Sequence, residues 1–181
     1  MITPNNTSTQ KQTGFTLIEI LVVIVLLGIL SGVAVFTLGS GKQQRELANE
    51  SQRLHALLRM ASEEAILSNT EIGFSIDEDG YEFLEYDDEK LTWSNSRVAV
   101  LKSRSFPEWV SVEFLRDGED IKILGKEQDD AKKPDMMLLS SGEVTPFNIT
   151  LQVSNNSDGQ FGISSDGLEA IKLSEPGKED D

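Results

Sequence analysis

Residues 14–38 read GFTLIEILVVIVLLGILSGVAVFTL, and from Ile20 to Gly41 no side chain is charged. Wound as an α-helix rising about 1.5 Å per residue, such a run spans the ~30 Å apolar layer of a bilayer. The segment 15–41 therefore reads as a transmembrane anchor. Glu19 stands at the very start of the apolar run, four residues after Phe15. An ionised acid at the centre of a membrane helix costs about 3 kcal/mol even on lenient insertion scales, so a resident carboxylate implies a function and a partner.

A cationic partner appears if the chain is cut between Gly14 and Phe15. The new α-amino group on Phe15 would lie one helical turn from Glu19, within reach of pairing in the same chain or with a neighbouring copy. Gly14-Phe15-Thr16-Leu17-Ile18-Glu19, followed by an apolar helix, resembles the N-terminal signature of type IV pilins and type II secretion pseudopilins. The resemblance implies that a prepilin peptidase removes residues 1–14 as a leader and that Phe15 becomes the N-methylated first residue. It also gives Glu19 an assembly role, neutralising an N-terminal amine and setting the register of insertion. A simple signal anchor would share the polar N-terminus and the apolar run. A secretory signal peptide would not, because its apolar core is only about 7–15 residues long. Lys11, the leader's one charge, fits a cytoplasmic N-terminus and an exported C-terminal part.

The chain has 181 residues and a net charge of −15, which leaves room for one modest globular head after the anchor. The charge is uneven: from Glu71 onward 26 Asp and Glu face 11 Lys and Arg, whereas five of each sign balance before it. So acidic a head repels phosphate backbones, and nucleic acid is not an expected partner. There is no cysteine, hence no disulfide and no thiol chemistry, and the single histidine, His55, reads as a surface or groove residue of a helix.

Inside the anchor, Gly28 and Gly32 form a Gly-x-x-x-Gly pair that would let another helix approach closely. Many pilins carry a proline near the position of Phe36; its absence leaves Gly28, Gly32 and Gly39 as the places where the helix could melt. Beyond Ser40-Gly41-Lys42 the helical period continues, with Leu47, Leu54, Leu58, Ala61 and Ala65 on one face and Arg45, Gln52, Arg53, Arg59 and Glu63 on the other. Residues 42–70 thus read as an amphipathic half of one long helix, ended by Ser68-Asn69-Thr70.

From Glu71 the period is two. Ile72, Phe74 and Ile76, a turn at Asp79-Gly80, then Tyr81, Phe83 and Glu85 make a hairpin. Further strands are expected at 97–102, 110–115, 121–124, 136–139, 148–153, 160–164 and 168–173, punctuated by three Asp-Gly pairs. Trp93, Phe106 and Trp109 read as core or edge packing. The polar stretch 125–135 reads as a mobile loop and 174–181 as a flexible tail. Residues 71–181 are expected to form a β-rich head, giving an α+β, pilin-like fold in which the long helix packs on antiparallel sheet.

No catalytic constellation emerges: there is one isolated His and no Gly-rich phosphate loop. Asp77-Glu78-Asp79 and Asp87-Asp88-Glu89 lack the spaced ligands of a calcium loop and read as solvated turns. No enzyme activity, cofactor or metal is expected.

Met137-Leu138-Leu139-Ser140-Ser141-Gly142-Glu143-Val144-Thr145-Pro146-Phe147 resembles the LLSSGE-TPF segment of H-type minor pseudopilins of type II secretion. That resemblance implies a structural subunit joining a fibre tip of the I, J and K types to a shaft of the major pseudopilin, so helping to export folded proteins. It further implies contact with the prepilin peptidase, the assembly platform and inner-membrane lipid, with the head in the periplasm. Two competing readings are a minor type IV pilin of fimbrial or competence type, and a membrane-tethered periplasmic enzyme. A DNA-binding tip would carry a basic patch, and an enzyme a metal or reactive residue.

Overall fold

The computed structural model describes residues 16–116, 118–120, 132–154 and 156–177, with side-chain surroundings for all of these except 30–40, 119, 120 and 156–158. Among the described residues one helix, α1 (Leu17–Ser68), is followed by ten strands. The chain divides into two compact units, 1–41 and 42–181. In the first, the helical residues 17–29 are all exposed. Among the described residues no helix is long and apolar enough to cross a membrane, and the side chains of 30–40, within the anchor expected at 15–41, lie outside the description.

In the second unit, α1 buries Leu47, Ser51, Leu54, Leu58, Ala61 and Ala65, a stripe at helical spacing. Ser51 is tolerated there because its hydroxyl donates to the Leu47 carbonyl at 2.9 Å. The helix ends in a Schellman arrangement: Thr70 N–H donates to the Ala65 carbonyl (3.2 Å), Asn69 N–H to that of Ile66 (3.4 Å), and Asn69 takes a positive φ of 49°.

Two antiparallel sheets supply the rest of the core. The first runs β3 (Thr92–Asn95), β2 (Gly80–Asp87), β1 (Ile72–Ile76), β7 (Met136–Leu138), with β4 (Arg104–Ser105) also paired to β2. The second runs β10 (Lys172–Ser174), β9 (Asn156–Ser165), β8 (Phe147–Val153), β5 (Val110–Arg116), β6 (Glu119–Asp120). The β1–β2 register sets Phe74 opposite Phe83, whose ring centroids lie 5.1 Å apart. Phe114, Ile149, Ile163 and Leu138 are buried in the same cluster as the helix stripe.

Strand β1 is buried along its whole length because its second face is also covered. Gly73 permits this: a Cβ there would fall 2.6 Å from Pro134 and 2.9 Å from Trp93.

Several expectations are corrected. Residues 97–102 are not a strand. Glu85 draws Ser96 and Arg97 to its carboxylate, and the chain then turns, with the Leu101 N–H on the Val98 carbonyl at 3.0 Å and Leu101 buried. Of 168–173 only the end is strand, because the Asp166 carboxylate caps the N–H groups of Leu168 and Glu169 and winds a turn. The last residues of the expected mobile loop are held: Lys132 Nζ reaches Glu82 at 2.9 Å and also Asn95, the Lys133 carbonyl accepts from Ser75, and the Asp135 carboxylate accepts the Ile76 N–H. Ser174, placed in the tail, closes β10. Residues 121–131, including the strand expected at 121–124, and 178–181 lie outside the described residues.

Candidate assembly site

The first unit offers a chemically simple surface. Leu17, Ile18, Leu21, Val25, Leu26 and their neighbours up to Ile29 leave large aliphatic side chains open on every side of the helix. A water-soluble monomer rarely exposes so continuous an apolar surface, so it requires lipid or other helices. The helix begins with the Thr16 carbonyl accepting the N–H groups of Glu19 (3.1 Å) and Ile20 (3.4 Å). Glu19 therefore sits in the first turn, at the positive end of the helix dipole. Thr16-x-x-Glu19 has the spacing of a capping box, a signal that reading Glu19 only as an intramembrane acid overlooked.

At Gly28 an added Cβ would meet nothing within 4 Å, so the backbone is open to another helix there. Gly32 lies in the same helix, among the residues whose surroundings are not described, and Gly14 and Phe15 lie outside the described residues.

The head presents two loops that the fold holds firmly. After β7 the chain turns through Ser140-Ser141-Gly142, with the Leu139 N–H on the Glu143 carbonyl (2.8 Å), the Gly142 N–H on that of Leu139 (2.9 Å) and Gly142 at φ 93°. Glu71 clamps this turn through Ser140, its two carboxylate oxygens accepting the backbone N–H and the hydroxyl. The second loop, 166–170, is wound by Asp166. Hydrogen bonds from the N–H groups of Glu169 and Leu168 hold the Asp166 carboxyl below its usual range.

His55 is half-buried and donates from Nε2 to the Ile171 carbonyl at 2.9 Å, since a carbonyl can only accept. It ties α1 to the chain after the second loop. The other perturbed acids also have structural duties: Asp87 is held low by the ammonium and N–H of Lys90 in a turn. Among the described residues no group of His, Cys, Asp or Glu is arranged to hold a metal ion, and every buried side-chain polar atom has a partner.

Residues 9–35 match the prokaryotic N-terminal methylation motif, a range that includes Gly14, Phe15, Glu19, Gly28 and Gly32. Residues 50–167 match the family model for the type II transport protein GspH. The chain belongs to the GspH family. It is 35% identical to the type II secretion system protein H of Pseudomonas aeruginosa, over 86% of this chain and 91% of that one. It is 29% identical to the Vibrio cholerae protein H, over 93% and 97%. A crystal structure of the Vibrio cholerae minor pseudopilin EpsH superposes with a TM-score of 0.64 at 25% identity, covering 74% of this chain and 99% of that one. As a GspH-family member the chain is a minor pseudopilin of type II secretion, with a pilin-like α+β fold and other pseudopilins of the system as its partners. The family is one of structural subunits.

Proposed function

We propose that the chain is made as a precursor whose residues 1–14 are removed by a prepilin peptidase, leaving Phe15 as an N-methylated first residue. Segment 15–41 then holds it in the inner membrane, with the N-terminus cytoplasmic and the head periplasmic. The assembly platform draws it from the lipid into a fibre, where Glu19 neutralises an N-terminal amine and fixes how far the subunit inserts. Gly28 and Gly32 admit a neighbouring helix. The head joins a tip of I, J and K types to the major-pseudopilin shaft, and the fibre moves folded proteins outward. No bond is made or broken by this chain.

The observation that carries the reading is Glu19 in the first turn of a helix whose aliphatic side chains from Leu17 to Ile29 are exposed all round. A carboxylate there would be costly in lipid without a cation, and cleavage after Gly14 creates one within a turn. Mass spectrometry of protein extracted from host membranes tests it. A chain beginning at Phe15 and heavier by one methyl group is expected; a chain still beginning at Met1 overturns it.

A further inference from the structure

Leu168 is 82% exposed, yet the loop that carries it is stiff. Asp166 accepts the N–H groups of Leu168 at 3.0 Å and Glu169 at 2.9 Å, and the Ser165 hydroxyl accepts that of Gly167 at 3.1 Å. Gly167, at φ 98°, in turn accepts the Val144 N–H on its carbonyl at 3.0 Å. Leu168 cannot fold back into the core without breaking these bonds. It is a fixed apolar knob.

Beside the knob lies a groove of about 200 Å³, walled by Leu168, Val144, Gly142 and Ile171 with Arg59 and Glu63 of α1. Ile66, half exposed, lengthens the wall: its Cδ1 lies 3.5 Å from where Gly142 would carry a Cβ. One side of the groove is a helix, and the turn at Gly142 is clamped by Glu71. A surface so pre-ordered loses little entropy when it is covered.

The rim says what covers it. Arg59 and Lys172 are already paired with Glu63 (3.8 Å) and Glu169 (2.7 Å), while Glu143 adds an exposed carboxylate on the neighbouring turn. From Glu71 onward the chain carries 26 acids against 11 bases, so two copies brought face to face repel. A second copy is a poor occupant, and a less acidic head is a good one.

We infer that this knob and groove are the docking face for the head of a different pseudopilin, one that presents an apolar side chain flanked by Lys or Arg. The inference rests on assembly with other pseudopilins, and it adds the surface and the chemistry of the neighbour.

The test uses the full chain in a host that carries its secretion operon. A photo-crosslinking benzoylphenylalanine replaces Leu168, Ile24 in the first unit, or Leu91, which is 73% exposed in the turn between β2 and β3. Position 168 should trap one other pseudopilin, identified by mass spectrometry, and position 91 should trap none. Ile66→Asp should cut the 168 adduct about tenfold and leave the position-24 adducts intact. Position 168 trapping nothing, a second copy or an exported protein, while position 24 still traps pseudopilins, overturns the docking face and spares the assembly role. Equal trapping of the same partner at 91 also overturns it. If neither 24 nor 168 reaches another pseudopilin, the assembly reading falls as well.

Discussion

Glu71 and Ser140, separated by 69 positions, are joined twice: Glu71 Oε2 accepts the Ser140 N–H at 2.8 Å and Oε1 accepts the Ser140 hydroxyl at 3.0 Å. Glu71 also follows directly on the Asn69-Thr70 cap of the helix, and its carbonyl accepts the Tyr86 N–H at 3.0 Å. One residue thus couples the end of α1, the first hairpin and the Ser-Ser-Gly turn. The chemistry of that turn is first a matter of folding, and the surface it presents is a consequence.

Glu71→Ala should therefore cost about 1–3 kcal/mol, because it strands a backbone N–H as well as a hydroxyl, whereas Ser140→Ala should cost about 1 kcal/mol. Urea unfolding of the head, residues 42–181, which contains the whole hydrophobic cluster, checks the order. Amide exchange at 140–143 should quicken in the Glu71 variant. Equal costs would mean that the turn stands without its clamp.

Gly80 is irreplaceable for a different reason. A Cβ there would fall 2.0 Å from the Arg104 carbonyl oxygen and 2.8 Å from the Ser105 Cα, both backbone atoms of the paired strand β4. Gly80→Ala should separate β4 from β2 and destabilise the head by about 1–3 kcal/mol, the usual range for overpacking. A crystal structure with this pairing intact and an unchanged melting temperature would refute the argument.

Tyr81 lies in the core and donates its hydroxyl to Glu50 at 3.1 Å. Burial, and then the Glu50 charge, push its proton affinity well above the ordinary value of 10.0. Because the folded state keeps the proton longer than the unfolded one, this stability is present below pH 10 and lost as pH climbs toward the folded value. Tyr81→Phe should flatten that alkaline loss. Unfolding midpoints measured from pH 9 upward should converge for the two proteins as pH rises.

What was legible in the sequence was contiguous. Leu47, Leu54, Leu58, Ala61 and Ala65 announce a helix face by spacing alone, and Ile72 to Glu85 announce a hairpin by alternation. The family was legible from Gly14–Glu19 and from Met137–Phe147, both unbroken runs. The illegible parts are those where a distant side chain overrules local preference. Val98-Ala99-Val100 favours a strand by composition, but Glu85, more than ten residues earlier, gathers Ser96 and Arg97 and bends the chain before it can extend. Arg104–Ser105 carries no pattern at all; it is a strand only because Gly80 lets it approach. The groove was hidden for the same reason, being assembled from α1, the 142–144 turn and the 168–171 loop, which no window of sequence holds together.

Glu85 itself offers a test in acid. Its carboxylate is buried, which by itself would raise its pKa, but hydrogen bonds from the Arg97 side chain, the Arg97 N–H and the Ser96 hydroxyl outweigh that and hold it below the ordinary value of 4.5. A depressed acid releases its proton more readily in the folded state, so its contribution is complete above pH 4.5 and fades as pH falls through the folded value. Glu85→Gln keeps the shape and removes the charge. The wild-type head should lose stability more steeply than the variant as pH falls below 4.5, the two curves drawing together at the acid end. Because Arg97 is exposed, the ion pair itself should add little, and Arg97→Met should move the curve less than Glu85→Gln does. Parallel curves for wild type and Glu85→Gln across that window would show that the carboxylate is not what bends the chain at Ser96.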